Sequence, residues 1–174
     1  MATLDLVSAL GRLLTDRPLR EEFAADPDSA ADRLGVCGAE RATFCALNPT
    51  ELAAQADGLI AKRLHEVASL LPVTFRRLGA DAPRLFRRHA ERFWPTGHRR
   101  HVADAVQFLE YVSTVAAAAF DLIEVATVRF HLRGSRLAMH WVRAEAGVGH
   151  RRRVLVLIRG RRDRLYRWTL EFRL

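Results

Sequence analysis

The chain has 174 residues, of which 49% are hydrophobic, with two cysteines and a formal net charge of +8. That is enough apolar material for one domain or two small ones with buried cores, and Cys37 and Cys45 read as buried, reduced thiols, which excludes a disulfide-framed miniature fold. No charged-then-apolar leader opens the sequence and no apolar run nears the roughly 20 residues of a membrane span, so the expectation is a cytoplasmic chain with no membrane association.

Helical spacing of Leu4, Leu6, Val7, Leu10, Leu13 and Leu14 predicts a first amphipathic helix. Asp16 is placed to cap a second, with Pro18 in its first turn and Phe23 facing inward. Asp26-Pro27 starts a third, which Gly35 closes, and residues 39–47 form a fourth. Asn48-Pro49 is a cap followed by proline at the first helical position, opening a long helix to about Leu70. Pro72 stops it, because proline disfavours helix in the preceding residue and brings no amide donor. A short helix over 73–78 ends at Gly79. Asp81 caps another, with Leu85, Phe86, His89, Ala90 and Phe93 on one face, and Trp94-Pro95-Thr96-Gly97 breaks the chain. A last helix is predicted from about Arg100 to Leu122, burying Val102, Ala105, Val106, Leu109, Val112 and Val115, for about seven helices in all.

The period then changes. Val128, Phe130 and Leu132 alternate with Arg129, His131 and Arg133, and Gly134-Ser135 reads as a two-residue hairpin turn. Leu137, Met139 and Trp141 alternate in a second strand, and residues 146–149 form a glycine-containing turn. A third strand, 153–158, is apolar on both faces and calls for cover on each side: a helix on one, a partner or another chain on the other. After a turn over 160–164, a fourth strand puts Tyr166, Trp168, Leu170 and Phe172 on one face. The fold class predicted is α+β: a helical domain over 1–122, with an N-terminal extension (1–48) and a second helical segment (49–122), then a four-stranded antiparallel meander over 126–174.

No residue pattern in the chain carries a reaction. His98 and His101 are one helical turn apart, but no Cys-x-x-Cys or His-Glu-x-x-His accompanies them, so no metal site is assigned. His131 and His140 read as a cross-strand pair. There is no Gly-x-Ser-x-Gly elbow and no phosphate-cradling glycine cluster, and the paired acids Glu21-Glu22 and Asp26/Asp28 sit where helix starts favour acids. The chain reads as a non-catalytic binding module without a cofactor of its own.

Charge is the remaining signal. Acids outnumber bases over residues 1–60, whereas residues 126–174 hold thirteen arginines against three acids. Guanidinium forks suit carboxylate or phosphate, so an anionic partner is expected for the C-terminal half; arginines on a sheet also protect its edges from aggregation. An open edge also accepts an extended peptide as an added strand.

Lys62-Arg63, Leu70-Leu71-Pro72-Val73-Thr74, Leu78-Gly79, Leu85-Phe86, Trp94-Pro95, Gly97, Asp104-Ala105 and Phe108-Leu109 together resemble a helical domain named for DNA binding in many bacterial genomes. That domain typifies the partner proteins of multinuclear non-haem iron-dependent oxidative enzymes, which modify ribosomally made peptides, often at cysteine. The resemblance implies a non-catalytic adaptor that forms a heterodimer with such an enzyme, the iron residing in the enzyme. It also implies a C-terminal domain that takes the leader of a precursor peptide, partly by strand addition. The residues expected to contact an acidic leader are Arg129, Arg133, Arg151, Arg152 and Arg153, with Trp141 and Trp168 as apolar anchors. Arg84, Arg87, Arg88 and Arg92, three and four apart on one helix, are expected to dock the enzyme or, in the alternative reading of a transcriptional regulator, to bind DNA.

Overall fold

A computed structural model describes residues 4–143, 151–160 and 164–173. Among these residues the chain is a mixed helix-and-sheet protein with nine α-helices and one three-stranded antiparallel sheet. Two compact units divide it: Met1–Leu64 with Arg87–Trp94, and His65–Phe86 with Pro95–Leu174.

The first unit begins with three short helices, each started by an aspartate. Asp5, Asp16 and Asp26 cap α1 (Leu6–Thr15), α2 (Arg17–Ala25) and α3 (Pro27–Leu34), each carboxylate accepting from a backbone amide two or three residues on. The Ser8 hydroxyl and amide hold the Asp5 carboxyl below the usual carboxylate range. Gly35, at φ 70°, ends α3 in the left-handed conformation that glycine adopts without cost. With α4 (Ala39–Cys45), these helices enclose a core of Leu13, Leu19, Phe23, Leu34 and Phe44, in which Phe23 and Phe44 meet edge to face at 5.1 Å. Asn48 starts α5 (Pro49–Leu70), its Oδ1 accepting from the Thr50 amide at 2.9 Å. Arg63 on α5 is buried; it donates to the carbonyl of Phe93 at 2.9 Å and lies 4.6 Å from the Trp94 ring centroid. Through these two contacts the guanidinium ties α5 to the chain just beyond α7 (Ala82–Ala90).

In the second unit, Pro72 occupies the first turn of α6 (Pro72–Leu78), as its fixed φ favours. Phe108 of α8 (Arg100–Val115) sits at the centre of an aromatic cluster, 5.4 Å from Phe75 and 5.2 Å from Phe86. The helix predicted to reach Leu122 stops at Val115. A single 3₁₀ turn, Ala117–Ala119, follows, and Arg77 fixes the bend by donating to the Phe120 carbonyl at 3.1 Å and pairing with Asp121 at 3.5 Å. Asp121 then caps a further helix, α9 (Leu122–Arg133). The predicted first strand, 128–132, is therefore helical, and the sheet has three strands: β1 (Leu137–Arg143), β2 (Arg151–Arg159) and β3 (Leu165–Arg173). Gly134, at φ 68°, is the stop signal of α9 and not a hairpin turn. The turns predicted over 146–149 and 160–164 fall wholly and largely outside the described residues.

Glu124, in the first turn of α9, is buried, and its carboxylate accepts from the Val73 amide at 2.6 Å, the Thr74 amide at 2.9 Å and the Thr74 hydroxyl at 2.6 Å. It satisfies amide donors that α6 cannot satisfy within its own first turn. Glu124→Ala strands three donors in a dry site and should cost about 3 kcal/mol, against about 1 kcal/mol for Thr74→Val, which removes one hydroxyl bond. Urea denaturation with an unchanged slope measures both. Equal losses would show that the backbone donors contribute nothing.

Candidate functional site: the open sheet

Antiparallel pairing fixes which residues share a face. Leu137, Met139 and Trp141 of β1 lie opposite Ile158, Val156 and Val154 of β2, which lie opposite Tyr166, Trp168 and Leu170 of β3. Directly paired residues point to the same side, so these nine apolar side chains make up one face. The other face carries Ala138, Leu155, Leu157 and Leu165, and α9 covers it with Ile123, Ala126 and Phe130. Leu155 and Leu157 have no exposure at all. Among the described residues the sheet is thus apolar on both sides and covered on one.

The uncovered side is open to solvent along both outer strands. Leu137, Met139 and Trp141 are 59%, 68% and 74% exposed, and Tyr166, Trp168 and Leu170 are 46%, 47% and 48% exposed. Together with Ile158, these side chains present on the order of 800 Å² of accessible surface, close to the share each partner contributes to a standard protein–protein interface. Isolated exposed apolar residues are ordinary, whereas a face of this size makes the sheet the candidate interaction site. Tyr166 and Trp168 stack on each other, ring centroids 5.9 Å apart and planes 12° apart. In the order β1-β2-β3 among the described strands, β1 and β3 have no neighbour on their outer sides, so each presents an unpaired row of backbone donors and acceptors.

Trp141 and Trp168, the anchors expected from the sequence, are both on this face, on the two outer strands. Arg129 and Arg133 are not sheet residues. They belong to α9, where Arg129 is exposed and pairs with Glu110 of α8 at 3.4 Å. The start of β2 carries Arg151, Arg152 and Arg153, paired in register with Arg173, Phe172 and Glu171. The expected cross-strand pairing of His131 with His140 does not occur, since His131 is in α9 and the partner of His140 is Leu155. Exposed arginines around the sheet include Arg136, Arg164 and Arg167.

The helical arginines are engaged locally. Arg84 donates to Asp81 at 2.9 Å and Arg87 to Asp57 at 2.6 Å, while Arg88 is exposed and Arg92 lies past the end of α7. Two of the four charges are therefore offset by acids, which weakens this row as a phosphate-binding helix face. A groove of about 330 Å³ in the first unit is lined in part by Arg17, Arg20, Glu21, Asp57, Arg87 and Glu91. Its guanidiniums are also taken: Arg17 pairs with Glu21 and Glu91, which raise its pKa, and Arg20 donates to the carbonyls of Leu13 and Leu14. Both cysteines are free, as expected, but neither is buried: Cys37 is exposed and Cys45 half-buried. Partial burial, and then the negative charge of Asp28, push the Cys45 thiol above its ordinary pKa, away from the reactive thiolate. His98 and His101 are both exposed, and among the described residues no group of three or more His, Cys, Asp and Glu side chains is placed to hold a metal ion. No described helix is long and apolar enough to cross a membrane.

Sequence reasoning did not single out Leu137, Met139, Ile158, Tyr166 and Leu170 as site residues. Their signal was present in β2, whose two apolar faces required two covers. No family model matches the chain, and neither does any curated protein sequence or solved structure.

The two sides of the sheet should respond differently to substitution. Met139→Thr and Trp141→Thr each leave stability within about 0.5 kcal/mol of the parent, because they remove exposed atoms and add a good strand former. Leu155→Ala, on the α9 side, costs about 2–5 kcal/mol. Thermal melts of the three variants distinguish the faces, and a large loss at Met139 would mean that its side chain is covered in solution.

Proposed function

We propose that the protein is a non-catalytic adaptor that holds an iron-dependent peptide-modifying oxidative enzyme and presents to it the leader of a ribosomally made precursor peptide. The observation that carries this reading is the sheet itself: a broad uncovered apolar face between two open edges, in a segment with thirteen arginines and three acids. An acidic leader running along β1 or β3 would gain main-chain hydrogen bonds from the edge and set an apolar side chain against Trp141 or Trp168. The resemblance of residues 62–109 to the helical domain of such partner proteins supports the same reading.

Purification of the tagged protein from its native host at physiological salt tests it. Iron eluting with a second, enzyme-sized chain is the expected result. Elution with nucleic acid and without an iron enzyme would replace the adaptor by the transcriptional regulator. Within the adaptor reading, Trp141→Ala or Trp168→Ala should weaken leader binding by about 2 kcal/mol, as loss of a buried anchor does. Loss of a single exposed arginine, such as Arg133→Ala, should cost about 0.2–1 kcal/mol. Peptide titration showing the reverse order would remove the tryptophans from the anchor role.

A further inference from the structure

Strand addition fills one edge and sets one apolar side chain against Trp141 or Trp168, so it occupies only the margin of the apolar face and leaves most of that face for a second contact. We infer that this face docks an amphipathic α-helix of a partner protein, apolar toward the sheet and acidic along its flanks. The inference deepens the adaptor reading and rests on it for the identity of the partner, which would be the iron enzyme.

Three observations carry it. The opposite face of the same strands already accepts a helix: α9 lays Ile123, Ala126 and Phe130 over Leu155 and Leu157. A strand that is apolar on both sides, as β2 is, is at home between two helical layers. The uncovered area, on the order of 800 Å², matches one side of a standard protein–protein interface. Finally, residues 126–174 carry thirteen arginines and three acids, so a second copy meeting this face with its own would bring like charge to the contact, whereas an acid-flanked helix brings complementary charge. Single-stranded nucleic acid also favours aromatic residues on a basic sheet. Here four of the seven well-exposed apolar residues are aliphatic, and Tyr166 and Trp168 already stack on each other. The composition of the face therefore favours a polypeptide.

The test uses the full chain and its own tryptophan emission. It is titrated at physiological salt with a synthetic helix bearing leucine on one side and glutamate on the other, with a leucine–lysine counterpart, and with oligothymidylate. The leucine–glutamate helix should shift the emission to the blue and bind at least about tenfold more tightly than the lysine form. Met139→Glu should weaken that binding at least about tenfold while leaving the circular dichroism spectrum unchanged. Equal binding of the two helices, or binding of neither, overturns the inference. Tight oligothymidylate binding that Met139→Glu abolishes assigns the face to nucleic acid instead. A dimer in sedimentation that the same variant dissociates assigns it to a second copy.

Native purification separates the two proposals. Iron enzyme recovered equally with the parent and with Met139→Glu overturns docking at this face and leaves the adaptor standing. Helix binding by a protein that recovers no iron enzyme removes the adaptor and leaves the docking face.

Discussion

In the second unit, two helices distant in sequence are joined by the buried carboxylate of Glu124. Glu124 ties the first turn of α9 to the first turn of α6 through the amides of Val73 and Thr74 and the Thr74 hydroxyl. A carboxylate taken out of water is costly unless donors surround it, and the start of a helix supplies unpaired amides ready to do so. Pro72 has no N–H, so the donors nearest the start of α6 are those of Val73 and Thr74, which Glu124 takes. The segment Leu71-Pro72-Val73-Thr74 is thus half of a clamp whose other half lies fifty residues later in the chain. Once α9 is fixed, Phe130 and Ala126 are presented to β2, and one side of the sheet is sealed.

The same clamp accounts for the largest departure from sequence expectation. Val128, Phe130 and Leu132 alternate with polar residues, and a period of two over five positions fits a strand. It fits a helix as well when that helix is covered on more than one side, as α9 is by α8 and by the sheet. Val125, Ala126, Val128 and Phe130 are all buried, which is a band around the helix and not a stripe along it. The local punctuation pointed the right way: Asp121 is a good N-cap and Gly134 a good stop. Gly134-Ser135 satisfies a hairpin signal equally well, and the tertiary partner that decides between the two, Glu124, is a lone glutamate in the sequence.

Where start and stop residues acted alone, the sequence was legible. Asp16, Asp26, Asn48, Gly35 and Gly79 each mark a helix end within a residue or two of its place. Each works through bonds to its own neighbours, so no distant residue enters. The bend at 116–121 was not legible, since four alanines favour continuing a helix and the break is held by Arg77 from an earlier one. For the candidate site, the two-sided apolar character of β2 and the outward row of β3 were visible. Which of the two sides α9 would cover was not, because α9 itself read as a strand.

An uncovered apolar face next to two open edges is a liability in a protein that must remain dispersed. Sheets so exposed pair with their own kind, through edges and through faces. The arginines of residues 126–174 oppose this, since bringing two such sheets together, face to face or edge to edge, brings like charge across a contact that desolvation would otherwise favour. The same charge costs nothing against an acidic partner and draws it in. Apolar area supplies affinity without selectivity, and the basic surroundings supply selectivity by penalising the commonest wrong partner, the protein itself. This couples two features that looked separate in the sequence. In the proposed docking, the basic bias of the C-terminal segment and the doubly apolar β2 would act together, on a partner that is apolar at its centre and acidic at its margins.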